Sequence, residues 1–223
     1  MTEKRQVFFS FHYARDSWRT CQVRNIGAIT GDATISDNDW EEIKRGGDNA
    51  IKKWIDEQLK MRSCTVVLIG QETASRKWID YEIKKSWELG KGVVGICIHN
   101  LKNAAGEQAS KGENPFAKFE INGKSAAHII KTYCNADYDI STDVYDNIKN
   151  NISDWVEEAI EIRKSYPKDS ILEPADQKKR INEIGHAFSR ALSAGALGIG
   201  AGGIITTVTE GTGYPTKYFG SSK

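Results

Sequence analysis

Along the first hundred residues, short continuous apolar runs alternate with apolar stripes at helical spacing. "VFFSF" (Val7–Phe11) is apolar and rich in aromatics, which predicts a buried strand. A helix is expected from about Ala14 to Asn25, with Trp18, Cys21 and Val23 as its candidate buried positions. "AITGDATIS" (Ala28–Ser36) is turn-rich and has room for a short second strand plus a loop. In "GDNAIKKWIDEQL", Ile51, Trp54, Ile55 and Leu59 recur at helical spacing, with Asp48 as a candidate cap. "CTVVLIG" (Cys64–Gly70) is β-branched and unbroken, the clearest strand in the chain. "SRKWIDYEIKKSWELGKG" then predicts an amphipathic helix that can bury Ile79, Ile83 and Trp87 and stops at the Gly90–Gly92 turn. "VVGICI" (Val93–Ile98) reads as another fully buried strand.

Buried strands separated by helices predict βαβ units, hence an α/β fold with a parallel sheet covered on both faces. Residues 101–116 form a polar loop with Gly and Pro. A further helix follows, with Val144, Ile148, Ile152, Trp155, Val156 and Ile160 facing inward. The compact domain, residues 1–166, is expected to end near Tyr166, just before Pro167.

Residues 167–223 form a C-terminal extension of different character. A helix is expected in "ADQKKRINEIGHAFSRAL", followed by Ala191–Val208, eighteen residues without charge and dominated by Gly and Ala. Gly198, Gly200 and Gly203 satisfy G-x-G-x-x-G, but that fingerprint needs a preceding strand and a βαβ frame, so it is rejected. Ala194, Gly198 and Gly202 have the spacing of close helix contact in a membrane. Yet eighteen residues fall short of the roughly 20 a spanning helix wants, and glycine lowers helix propensity. A tail packed on a neighbouring subunit, or simply flexible, is preferred to membrane contact.

Acids and bases nearly cancel, for a formal net charge of +1. No electrostatic footprint for nucleic acid follows from that balance. Cys21, Cys64, Cys97 and Cys134 are scattered, with no CxxC pair, and Cys64 and Cys97 lie in apolar runs where a thiol behaves as a small hydrophobe. A reduced, cytoplasmic protein is the simplest expectation. His12, His99, His128 and His186 are equally dispersed, so no metal site is expected. The N-terminal apolar run is too short for a signal peptide.

In an open parallel sheet, ligands bind beyond the carboxyl ends of the strands where strand order reverses. With Val7–Phe11 as the central strand, its end supplies Ser10, Phe11, His12 and Tyr13, while Gly70, Gln71 and Glu72 come from the neighbour. The helix carrying Trp78 and Glu82 begins a few residues beyond Gly70, so its first turns border the same crevice. By spacing alone, Trp78-x-x-x-Glu82 is an ordinary surface acid beside a half-buried Trp, and His12 a half-buried histidine.

"VFFSFHYARD", "VRN", "DNDWEEIKRGGDNAIKKWIDEQL", "TVVLIGQETASRKWIDYEI" and "GKGVVGICIHNLKN…GENPF", in that order, resemble the TIR-like family that includes the ThsB sensors of Thoeris anti-phage defence. The resemblance runs from about Val7 to Phe116. It implies a flavodoxin-like (TIR) sheet and an NAD+ glycohydrolase or ADP-ribosyl cyclase, with NAD+ as substrate and no cofactor. The helix matching the family's WxxxE pattern makes Glu82 the catalytic candidate, and Ser10, Phe11, His12 and Tyr13 the wall of the nucleotide pocket. Trp78 and Tyr81 would exclude water and stack on a flat ring. His12 departs from the arginine that many TIR domains carry nearby.

The implied partners are a phage-derived trigger, further copies of the chain on activation, and an effector reached through a nucleotide signal that is an ADP-ribose derivative, expected to be cyclic. Two alternatives stay open: a TIR-like assembly module without catalysis, and another ribosyl-transfer enzyme on the same sheet.

Overall fold

The computed structural model describes residues 4–30, 43, 45–134 and 139–172. Among the described residues, four parallel strands form the main sheet: β1 (Val7–Ser10), β2 (Cys64–Ile69), β3 (Gly92–Cys97) and β6 (Thr132–Tyr133), in the order β1-β2-β3-β6. On the other edge of β1, Gln6 bridges Thr30 in parallel, and Val7 N donates to Thr30 O at 2.9 Å. Thr30 belongs to the run where a second strand was expected; residues 31–36 of that run lie outside the described residues. Chain on both sides of β1 makes its carboxyl end the switch point where such sheets bind ligands.

Among the described residues, the long α-helices are α1 (Tyr13–Arg24), α2 (Gly47–Lys60), α3 (Lys77–Glu88) and α4 (Ser141–Lys164). Strand alternation divides the sheet into two faces. Val7, Phe9, Cys64, Val66, Leu68, Val94 and Ile96 pack with Val23 of α1 and with Val144, Ile148, Ile152 and Val156 of α4. On the opposite face, Val67, Ile69 and Val93 meet Ile79, Ile83 and Trp87 of α3, while Phe8 meets Ile51, Ile55 and Leu59 of α2. This is the flavodoxin-like, TIR-type architecture, helices covering both faces of a parallel sheet.

Several elements depart from the expected pattern. Trp18 is 56% exposed and Cys21 is exposed, whereas Asp16, Arg19, Thr20 and Val23 form the buried face of α1. The reason is what α1 faces: loop carbonyls that need donors, so a polar stripe turns inward. Asp48 lies in the first turn of α2 and pairs with Lys77; Gly46 holds the cap position. Cys97 and Cys134, expected as separate thiols, are paired as a disulfide with a Cα–Cα distance of 4.8 Å. They follow the register in which Gly95 and Ile96 of β3 lie beside Thr132 and Tyr133 of β6.

A second small antiparallel sheet, β4 (Glu120–Ile121), β5 (Lys124–Ser125) and β7 (Ile171–Leu172), has the order β5-β4-β7. Through β7 the chain beyond Tyr166 stays in the first compact unit, which spans Met1–Pro174. Buried Arg163 anchors this return. Its Nε and Nη2 donate to Trp87 O at 2.8 and 2.6 Å, and Nη1 to Tyr166 O at 2.6 Å. The second unit, Ala175–Lys223, lies outside the described residues, and with it the expected C-terminal helix and the Gly/Ala-rich tail. Among the described residues, no helix is long and apolar enough to cross a membrane.

Candidate active site

Ser10 is the last residue of β1, and alternation puts it on the same face as Phe8, under α2 and α3. Its Oγ donates to Glu82 Oε2 at 2.5 Å. The pair is enclosed: Ser10 is 1% exposed and Glu82 9%. Glu82 is thus drawn down onto β1, deeper than a side chain standing in an open crevice.

The inner face of α3 explains how a carboxylate fits there. Ile79, Ile83 and Trp87 fill the apolar side, and one turn after Glu82 comes Ser86. Ser86 Oγ lies 2.6 Å from both Glu82 O and Thr65 Oγ1 of β2. A narrow polar track of Ser10, Thr65 and Ser86 therefore runs between sheet and helix beside the apolar contact. Buried polar groups are stable only with such partners.

Trp78 and Tyr81 are half-buried between α2 and α3, against the cluster of Phe8, Ile51, Ile55 and Leu59. Their rings meet edge to face at 6.3 Å, and Lys77 Nζ lies 4.7 Å from the Trp78 ring centroid. The Tyr81 hydroxyl donates to Asp56 Oδ1 at 2.9 Å. Burial, and then that bond and the carboxylate's charge, push the phenol up to about 12. These aromatics form the side of the site toward α2, with Tyr81 held by its own hydrogen bond.

The segment after β1 turns directly into α1. Phe11 is half-buried against the first cluster, 6.2 Å from the ring of Tyr13, which is 46% exposed at the start of α1. His12 takes the cap position, and its carbonyl accepts Arg15 N at 3.3 Å and Asp16 N at 2.9 Å. His12 Nδ1 is buried without a partner among the described residues. Burial, and then the charge of Arg76, hold the imidazole below its ordinary pKa. Ser10 and Glu82 are therefore brought into contact, Trp78 and Tyr81 to one another, and Phe11, His12 and Tyr13 to the mouth formed by the end of β1.

Two groupings had no periodic signal. Asp16 Oδ1 accepts from Arg19 Nη1 at 3.1 Å, while Arg19 Nε and Nη2 donate to Leu101 O and Glu107 O at 2.7 and 3.1 Å. This clasp holds the polar 101–107 loop as a fixed wall on the α1 side. The Asp16 carboxylate also presses on Gly70: a Cβ there would lie 2.1 Å from Asp16 Oδ2. The second grouping is Arg15–Glu72–Arg76, with ion-pair distances of 2.9 and 2.6 Å. The i,i+3 spacing of Asp16 and Arg19 and the i,i+4 spacing of Glu72 and Arg76 are the hints in the sequence, and both read equally well as surface pairs.

Residues 8–103 match the family model described as Thoeris protein ThsB, TIR-like domain. Over 122 residues the chain is 39% identical to a protein of Bacillus cereus (strain MSX-D12) named "Putative cyclic ADP-D-ribose synthase ThsB1". That alignment covers 50% of this chain and 61% of the relative, so the chain spans less than two thirds of that protein's length.

Proposed function

We propose that the chain cleaves NAD+ to nicotinamide and an ADP-ribose-derived nucleotide, cyclic rather than linear, a reading that starts from the match of residues 8–103 to the ThsB TIR-like family model. The observation that carries this reading is the enclosed carboxylate of Glu82, held by the Ser10 hydroxyl at the carboxyl end of β1. The name of the Bacillus cereus relative points the same way.

The chemistry asks little of the protein. The bond between the ribose C1′ and the nicotinamide nitrogen breaks, and its electron pair leaves with nicotinamide, which departs neutral and needs no proton. Positive charge develops on the sugar, as in glycoside cleavage. A fixed carboxylate in a water-poor site stabilises that charge without reorganising. Glu82 is given this role. Ser10 orients it, and the Trp78–Tyr81 pair keeps water from the α2 side. Capture of C1′ by a nitrogen or hydroxyl of the same molecule, with loss of one proton, closes a cyclic product; capture by water gives ADP-ribose.

In this account the substrate is NAD+, no cofactor takes part, and nucleic acid is not a partner. A phage-derived trigger and self-association switch the enzyme on, and the product signals to a separate effector. The rival reading, an assembly module without catalysis, draws support from Tyr13 and Trp18, aromatic side chains left exposed on α1.

One experiment separates the two. The full chain is incubated with NAD+, alone and with infected-cell extract, and the products are resolved by chromatography and mass. Nicotinamide together with a product one water lighter than ADP-ribose supports the cyclase. Intact NAD+ under both conditions favours the assembly module.

A further inference from the structure

Cys97 ends β3 and Cys134 directly follows β6, so their disulfide ties two strand ends together across a sequence separation of 37. β6 has two residues, set beside Gly95 and Ile96 of β3, with Gly95 N donating to Lys131 O at 2.9 Å. A pairing that short needs other anchors. The covalent loop encloses the 101–107 wall of the candidate site, which Arg19 fastens to α1. Gln108 Nε2 donates to Asp139 O at 2.5 Å and Lys102 N to Ser141 Oγ at 3.0 Å. The wall is therefore also tied to the chain that leads from Cys134 into α4.

The two sulfurs differ in access. Cys97 is 6% exposed, whereas Cys134 is half-buried, so Cys134 is the sulfur that a dissolved thiolate reaches. Attack there bonds the incoming sulfur to Cys134 Sγ, and the electron pair of the broken S–S bond leaves on Cys97, which takes up a proton. A second thiolate then attacks the incoming sulfur and releases Cys134. In sum, the protein disulfide is reduced to two thiols and two small thiols are oxidised to one disulfide.

A receiver for the released thiol stands beside Cys97. Cys97, His99, Asn100, Tyr133 and Asn147 line one small cavity. His99 Nδ1 is buried and has no hydrogen-bond partner among the described residues. Buried polar nitrogens are nearly always paired, so an orphan here asks for a partner. A disulfide sulfur has no hydrogen to give, but the thiol formed by reduction does. Burial, and then the charges of Lys111 and Arg19, hold the His99 imidazole below its ordinary pKa. The neutral ring keeps one nitrogen as an acceptor.

We propose that Cys97 and Cys134 form a reversible redox site, opened by small thiols at Cys134, with His99 accepting the hydrogen of the released Cys97 thiol. Opening it removes the covalent tie around the 101–107 wall and widens the motions open to that wall. Any consequence for NAD+ cleavage rests on the function proposed above; the redox site does not.

The test equilibrates the folded full chain in glutathione buffers from fully oxidised to fully reduced, quenches in acid, alkylates in denaturant and weighs the protein. The chain has four cysteines, of which Cys21 and Cys64 are free. Two alkyl groups are expected at the oxidising end and four at the reducing end, with interchange in both directions. Two at every ratio means a fixed bridge, and four at every ratio a bridge that does not form; either overturns the proposal. His99→Phe fills the same space without the acceptor. Its midpoint should need about five- to tenfold more reducing buffer, the worth of one hydrogen bond, and an unshifted midpoint removes His99 from the site. The wild-type titration decides the thiol chemistry even if that variant misfolds. Hydrogen exchange reads the wall: amides of residues 99–108 should exchange at least about tenfold faster in the reduced chain, while those of α2, packed on the far side at Phe8, keep their rates. Equal exchange in both states overturns the coupling to the wall. Reversible thiol interchange with NAD+ left intact in both states, trigger extract present, upholds the redox site and instead refutes the NAD+ reading.

Discussion

Gly70 closes β2 at the rim of the site, and adding one methyl group there tests the clasp that forms its wall. An alanine Cβ would lie 2.1 Å from Asp16 Oδ2 and 2.6 Å from its Cγ, far inside contact distance. Asp16 is 2% exposed and tied to Arg19, which in turn holds the carbonyls of Leu101 and Glu107. The methyl can enter only by pushing the carboxylate away. Overpacking costs about 1–3 kcal/mol, and breaking a buried ion pair about 3–5 kcal/mol. Gly70→Ala is therefore expected to destabilise the protein by at least about 3 kcal/mol, read from urea unfolding at pH 7. With Asp16→Ala already in place, the ion pair is gone and the space is open. Gly70→Ala should then add less than about 1 kcal/mol, a coupling of about 2 kcal/mol or more between the two sites. An equal cost of Gly70→Ala in both backgrounds would refute the reasoning, since the loss would then come from the backbone of residue 70 and not from the clasp.

Three further outcomes are expected. Ser10→Ala removes the donor to buried Glu82 Oε2, and nicotinamide release should fall at least about tenfold alongside a stability loss of about 1–3 kcal/mol; an unchanged rate in the folded variant would remove Ser10 from the account. His12 is held below its ordinary pKa by burial first and then by Arg76, with Arg15 adding to the effect and Asp16 and Glu72 opposing it. Arg76→Gln should therefore raise the His12 pKa in an NMR titration without restoring its ordinary value, and no movement would mean that the two groups are not neighbours. A depressed histidine contributes stability above its unfolded pKa of about 6.5 that is lost as the pH falls through the folded value. The stability gap between wild type and His12→Phe should narrow in that acidic window. Arg163→Leu strips donors from Trp87 O and Tyr166 O and removes the cation 4.6 Å from the Trp87 ring, for an expected loss of about 3 kcal/mol or more. Arg163→Lys should recover less than half in the same urea assay, because an ammonium cannot reproduce the fork.

Local pattern carried much of the fold. Cys64–Ile69 and Gly92–Cys97 are continuous apolar runs because both faces of those strands are covered. The stripe Ile79, Ile83 and Trp87 is legible because α3 has one apolar partner, the sheet. Period failed where partners are polar or distant. The inward face of α1 is Asp16, Arg19 and Thr20, chosen by carbonyls some eighty residues away, so Trp18 looked the better core residue. The strands β4 to β7 have two residues each, too few to show alternation. Glu82 was recognisable by its helix position and by resemblance. Its depth depends on Ser10, seventy-two residues earlier, which no helical stripe can display. The Arg15–Glu72–Arg76 trio likewise joins the ends of two strands and exists only once the sheet has formed.

The central claim is that Glu82 stabilises positive charge on a ribose as nicotinamide leaves. Glu82→Gln keeps the size of the side chain and removes only its charge. The most direct test is the initial rate of nicotinamide release from NAD+ by the two full-length proteins, side by side, with trigger extract present. The account predicts release by the wild type and a loss of at least about a hundredfold in Glu82→Gln at matched folding, the usual scale for a missing electrostatic stabiliser. Equal release by the two proteins would contradict it.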